Sequence, residues 1–268
     1  MKFYVLLLAA AQLSVNFSRD SDRIDDYMVE GRYNEAITLI NALLRPVDSS
    51  NQKYEIAPLL VKSATLAVEI GRLDEAEREL LAAAAVAARE QSPNRSAAIA
   101  RERAALLLAK GDFPQARLTA HNAVNLSRQF GYFKIRIAYA QSLEALAALE
   151  LNDTEAAAKL AQEALKAIPK RAAKQTFFAP RILYAAARVA SRQGDHATAE
   201  AHCRRGLAMH PAARDAVLGH LALAETLLAA GNRESGRQAA ETSLRLTREL
   251  CGDQHPDAAR ARRLLAQP

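Results

Sequence analysis

Four side chains in the C-terminal half have the types and spacing to hold an anion: Arg181, Tyr184, Arg188 and Arg192. Steps of three, four and four residues put them on one stripe of a helix. Guanidinium groups grip carboxylates in bidentate pairs and stack on aromatic rings, so such a stripe suits an acidic ligand. A solvated basic face with no partner is an equally simple reading of the same residues. Bond-breaking chemistry is harder to find. No glycine-rich phosphate loop, HExxH or GxSxG occurs. His196 and His202 lie six apart, off a common helical face, and His210 and His255 each precede a proline. These, with His121 and His220, read as surface or helix-end residues rather than ligands or bases. Cys203 and Cys251 belong to no CxxC and to no metal-spaced cluster, so small buried thiols are the simplest account, with a disulfide between them left open. The expectation is a protein that is not an enzyme and carries no cofactor and no metal.

The elements that must position such a stripe are helices. The 268 residues are 50% hydrophobic, chiefly Ala and Leu, with only 10 Gly, 9 Pro and 5% aromatics. These are helix formers, with too little punctuation for a fold of many short strands. Net charge is +6, but the signs are interspersed, as in Glu75, Glu77, Arg78 and Glu79. Nucleic-acid binders gather their basic residues on one face or in a tail. This chain does not, which argues against nucleic acid as the partner.

One phrase recurs along the chain: a turn residue, a short polar or aromatic step, then a small residue. It runs Gly31 to Ala36, Gly71 to Ala76, Gly111 to Ala116, Asn152 to Ala157, Gly194 to Ala199 and Gly231 to Gly236, with turn residues 40, 40, 41, 42 and 37 positions apart. Gly or Asn can take the left-handed conformation that ends a helix, and the Asp or Asn that often follows can cap the next one. Seven positions before each turn stand Ala64, Ala104, Ala145, Ala187 and Ala224, with Ile24 the exception. Twelve after it stand Ala83, Ala123, Ala164, Gly206 and Ser243, with Leu43 the exception. Small residues at matched points let paired helices approach closely. Pro169 and Pro211 close two of the units.

These residues resemble the tetratricopeptide repeat, a helix-turn-helix unit with small residues at those points, an aromatic after the turn (Tyr33, Phe113) and a closing proline. The standard unit has about 34 residues. The longer units here, and Gly252-Asp-Gln-His255-Pro256-Asp257 near the C-terminus, are similar to the kinesin-light-chain subgroup. The resemblance covers about residues 17–266. It implies an all-α, right-handed superhelical solenoid: six hairpins over 17–254, each too small to bury its own apolar face, and a C-terminal capping helix in 255–268.

The resemblance also implies where a partner sits. First helices of such hairpins line the concave groove, which takes an extended or helical peptide. That places Arg181, Tyr184, Arg188 and Arg192 in the groove, with Tyr139, Ser142 and Leu146 on the equivalent face one hairpin earlier and Arg101 one before that. The function expected is a scaffold or adaptor for a protein or peptide, an acidic one suiting the arginines. A nucleic-acid-binding helical repeat and a self-associating structural adaptor are the alternatives. The Lys and Asn set with which the family clamps chaperone tails is not found. The aromatics Phe130, Tyr132 and Phe133, and Phe177 and Phe178 one repeat later, recur at a junction and are expected to pack rather than bind.

Residues 1–16 stand apart. Met1-Lys2 precedes an apolar run from Phe3 to Ala11 ending Ala9-x-Ala11, which is similar to a secretory signal peptide and short for a membrane span. A signal peptide, with an exported or periplasmic location, and an N-terminal apolar helix on a cytoplasmic protein both fit.

Overall fold

The computed structural model describes residues 19–44, 56–129, 133–168 and 178–267, and the expectations for residues 1–16, Phe130, Tyr132, Pro169 and Phe177 fall outside them. The described residues form thirteen helices and no strand. After α1 (residues 19–30) come α2 (Tyr33–Leu44), α3 (Ile56–Glu69), α4 (Leu73–Arg89), α5 (Pro93–Lys110), α6 (Phe113–Gln129), α7 (Lys134–Glu150) and α8 (Thr154–Leu165). They are followed by α9 (Ala179–Arg192), α10 (His196–Leu207), α11 (Ala213–Ala229), α12 (Arg233–Cys251) and α13 (Pro256–Leu265). The chain is an all-α superhelical solenoid of hairpins.

The turns obey the residue types that occupy them. Gly31, Gly71, Gly111, Gly194 and Gly231 all have φ between 78° and 83°, and Asn152 has φ 61°. Behind four of them the next side chain caps the new helix. Asp112 accepts from Gln115 N, Asp153 from Ala156 N, Asp195 from Thr198 N and Asn232 from Ser235 N. Arg32 and Arg72 occupy this position in the first two hairpins, and Arg72 makes no side-chain cap.

Packing follows the small residues. Ala36, Ala76, Ala116, Ala157 and Ala199 are fully buried, as are Ala64, Ala104, Ala145, Ala187, Ala224 and the exceptional Ile24. First helices of successive hairpins touch one another in the series α3, α5, α7, α9 and α11, while each second helix packs between the first helices on either side. The first helices therefore make the inner layer and the second helices the outer one. The last helix, α13, packs on α11 and α12, so it continues the inner layer as the first helix of a further hairpin would.

The two ends of the solenoid meet. Leu250 and Cys251 of α12 join the apolar cluster of Ile24, Tyr33, Ile40, Leu59 and Leu66 from the first two hairpins. Gly31 leaves so little room that a Cβ there would lie 3.0 Å from that of Ala213, and one on Gly71 would lie 3.2 Å from His255 Cδ2. The equivalent positions at Gly111, Gly194 and Gly231 meet nothing within 4 Å. The Cys251 thiol donates to the Glu69 carbonyl at 3.4 Å. Residues 182 positions apart in sequence thus meet in one seam.

Candidate functional site

The inner layer encloses a channel of three chambers that share walls. The first, about 460 Å³, lies among α1, α2, α3 and α5 and has Arg101, Tyr139, Phe178, Arg181 and Arg214 on its wall. A middle chamber of about 360 Å³ is bounded by Glu69, Tyr139, Arg181, Tyr184, Arg214 and the His255–Asp257 segment. The third, about 670 Å³, is lined by Leu146, Glu150, Arg188, Arg192, Glu225 and Arg260. All six residues that the sequence singles out therefore border this channel.

They do not border it alike. Arg181 stands at the join of the first two chambers with each of its three nitrogens engaged. Its Nε meets Asp215 Oδ1 at 2.6 Å, Nη2 meets Glu69 Oε1 at 2.6 Å, and Nη1 meets the Tyr139 hydroxyl at 3.3 Å. Burial works against its charge, yet Asp215, Glu69 and Tyr139 together hold its pKa well above the ordinary value. Burial drives the Tyr139 hydroxyl up to about 12. The Tyr139 ring stacks on Phe178 with centroids 4.6 Å apart, and the Arg101 guanidinium lies 5.1 Å from the centre of the same Phe178 ring. Arg101 itself is buried and pairs with Glu102 at 2.9 Å. Phe178 thus packs as its sequence position suggests, whereas Phe133 at the equivalent junction is 73% exposed.

Tyr184 is 4% exposed and packs against Gly206 and Gly219, whose missing side chains make room for its ring. Its hydroxyl has no hydrogen-bond partner among the described residues. Arg188 pairs with Glu150 at 2.5 Å, and its pKa falls because it is buried and because Arg260 lies nearby. Arg260 in turn makes a two-pronged pair with Glu225 at 2.6 and 2.7 Å. Arg192 is exposed at the rim of the third chamber.

Sequence reasoning missed the acidic half of this surface and the arginine at its centre. Arg214 at the start of α11 pairs with Glu69 Oε2 at 3.2 Å and with Asp257. Burial opposes its charge, but Asp257 and Glu69 still raise its pKa. Asp215, 1% exposed, has its carboxyl pushed up by burial although Arg181 pulls the other way. His255 caps α13 by accepting from Asp257 N at 3.2 Å, and burial with Arg214 beside it depresses its pKa. One signal was available. Glu69 and Glu150 both stand two residues before a turn, and Arg188 stands six before the next one, so opposite charges occupy neighbouring levels of the inner layer.

No group of three or more His, Cys, Asp or Glu among the described residues could hold a metal ion, and no described helix is long and apolar enough to cross a membrane. Both cysteines are free, and burial raises the thiol of Cys203 to about 12 and that of Cys251 to about 11.

No family model matches the sequence, and no curated protein matches it. The fold has many relatives among solved structures. A Rap protein complexed with the competence and sporulation factor superposes with a TM-score of 0.64 over 96% of this chain and 77% of its own, at 14% identity. The Rap conjugation gene regulator of the plasmid pLS20, in complex with the Phr* peptide, gives 0.63 over 94% and 74%, at 16% identity. The tetratricopeptide-repeat sensor protein of the STAND ATPase class from Pyrococcus horikoshii gives 0.57 over 96% of this chain and 39% of that one, at 16% identity. At such identities the likeness is one of fold. The chain is a tetratricopeptide-like helical-repeat solenoid.

Proposed function

We propose that this protein is a non-catalytic scaffold that holds a protein or peptide along its inner channel, with an acidic segment of the partner seated on Arg188, Arg192 and Arg260. The observation that carries this reading is the third chamber. It brings three guanidinium groups and only two carboxylates, Glu150 and Glu225, to one open cavity with Leu108, Leu146 and Leu149 on its wall. Partly hydrated guanidinium groups beside an aliphatic surface fit a carboxylate followed by an apolar side chain. The Rap regulator that shares the fold is a complex with a peptide, which supports a peptide as the occupant here. Placement within the long-unit, kinesin-light-chain-like subgroup rests on the 40- to 42-residue spacings and the Gly252–Asp257 phrase. Export rests on the Phe3–Ala11 run, and the mass of the mature N-terminus tests it.

The test is a screen of fluorescent pentapeptides of varied charge against the wild type and the Arg188→Glu, Arg192→Glu double variant. Acidic peptides should bind the wild type and lose on the order of 100-fold in affinity to the variant, since two attractive contacts become repulsive. Equal binding by both proteins removes this site. Binding that collapses with salt and extends to DNA oligonucleotides would favour the nucleic-acid alternative instead.

A further inference from the structure

The join between the first and middle chambers is occupied by the chain's own acid. Glu69, at the end of α3, is 6% exposed and spends both carboxylate oxygens on arginines far along the chain. Oε1 takes Arg181, 112 positions later, at 2.6 Å, and Oε2 lies 3.2 Å from Arg214 Nε. The geometry is that of a carboxylate ligand held between the fifth and sixth hairpins. It differs from a ligand only in being tethered to the second.

Three observations mark this contact as reversible. Glu69 is the surplus acid of the cluster: without it Arg181 keeps Asp215 at 2.6 Å and Arg214 keeps Asp257, so its departure leaves neither cation bare. Its hold on the site is incomplete: buried Arg214 Nε, though 3.2 Å from Oε2, makes no hydrogen bond, and neither Arg214 Nη1 nor the buried Tyr33 hydroxyl on the same chamber wall has an acceptor. Glu69 also stands where the two chambers meet. It, Tyr139, Arg181 and Arg214 are common to the walls of both chambers, so a segment running the length of the channel must pass this point.

We infer that Arg181 and Arg214 form a carboxylate-binding site which Glu69 fills while the channel is empty, and that an acidic side chain or C-terminal carboxylate of a bound peptide takes the place of Glu69. The exchange conserves charge, releases the Glu69 side chain of the second hairpin from the fifth and sixth, and joins the first chamber to the others. This rests on the channel being the partner site, but it can fail separately, because the contact can be probed without a partner.

Cys251 reports on the seam through its bond to the Glu69 carbonyl, and fully buried Cys203 reports on global unfolding. Labelling of both thiols by an aromatic disulfide is followed for the wild type, Glu69→Ala and Glu69→Gln. Opening of the seam should speed Cys251 labelling on the order of 100-fold in Glu69→Ala while Cys203 stays protected. Millimolar propionate should raise the Tm of Glu69→Ala by filling the vacated site, and propionamide should not. Glu69→Gln, which keeps the shape of the side chain, covers the case in which the alanine variant does not fold. In the wild type, an acidic pentapeptide should speed Cys251 labelling, and its C-terminal amide with acidic side chains intact should show which carboxylate is read. The idea is overturned if Cys203 and Cys251 speed up together, which makes Glu69 a strut of the whole fold. Propionate and propionamide acting alike in both variants would overturn it too. Peptides that bind without changing Cys251 labelling would leave the channel as the partner site and remove Glu69 exchange.

Discussion

The inner junction at Arg181 and the outer surface of the last two hairpins are built from the same residue types to opposite effect. On the outer surface Arg204 meets Glu200 at 2.7 Å and Arg245 meets Glu249 at 2.9 Å, each one turn away on its own helix and each largely in water. Such pairs trade hydration for attraction almost evenly. At the junction the same chemistry joins helices α3, α9, α11 and α13 out of solvent, where losing Arg181 leaves the buried Asp215 with nothing to replace it. The difference teaches that the shape of this solenoid is fixed less by the number of its ion pairs than by which of them span hairpins.

Arg181→Ala should break the comparison open if it is wrong. It strands Asp215, so we expect a loss of about 3–5 kcal/mol and a fall in Tm of roughly 10 °C by calorimetry. A fall no larger than that of a surface variant would put both regions in one class. A smaller effect separates two glycines with the same conformation. Gly71→Ala must accept φ 81° and press on His255, whereas Gly111→Ala must accept φ 79° in open space. The strain alone costs about 1–2 kcal/mol in each, and the excess at Gly71, read by urea unfolding, measures how tightly the seam is closed.

Acid should loosen the seam before the outer surface. The folded pKa of His255 lies below its ordinary 6.5, so the unfolded chain binds that proton more readily. Its contribution is complete above pH 6.5 and is lost as pH falls below it. Arg214 opposes the charged ring, while Asp257 and Glu69 favour it without restoring the ordinary value. Wild-type Tm should therefore drop more than that of His255→Gln between pH 7 and 5.5, and parallel curves would remove His255 from the account. The smallest change expected is Arg245→Ala, at less than about 0.5 kcal/mol by urea unfolding.

What could be read from the sequence was local. A glycine or asparagine between two helical runs needs φ > 0, and a small residue recurring at fixed offsets needs a close neighbour, so Gly31 through Gly231 and Ala36 through Ala199 announced the hairpins. Spacing put Arg181, Tyr184, Arg188 and Arg192 on one stripe, and the resemblance to the tetratricopeptide repeat turned that stripe toward the inner layer. Its counter-charges were not legible: Asp215 meets Arg181 across the step to the next hairpin, and Glu69 becomes its partner only through the curvature summed over several hairpins. No periodicity encodes that sum. Tyr184 shows the same limit in reverse: its spacing put it on the stripe, but the openings left by Gly206 and Gly219 draw its ring into the core.

The meeting of the two ends changes how the molecule should come apart. A linear array of repeats frays from its termini, since each terminal unit has a neighbour on one side only. Here Leu250 and Cys251 give the first hairpin a second neighbour and the second hairpin a third, and Glu69 ties that second hairpin to the fifth and sixth. Loss of either terminal unit then forfeits the contacts of the other, so melting should spread from the seam and approach a single cooperative step. Cutting the seam would return the chain to the graded, end-first unfolding of an open array.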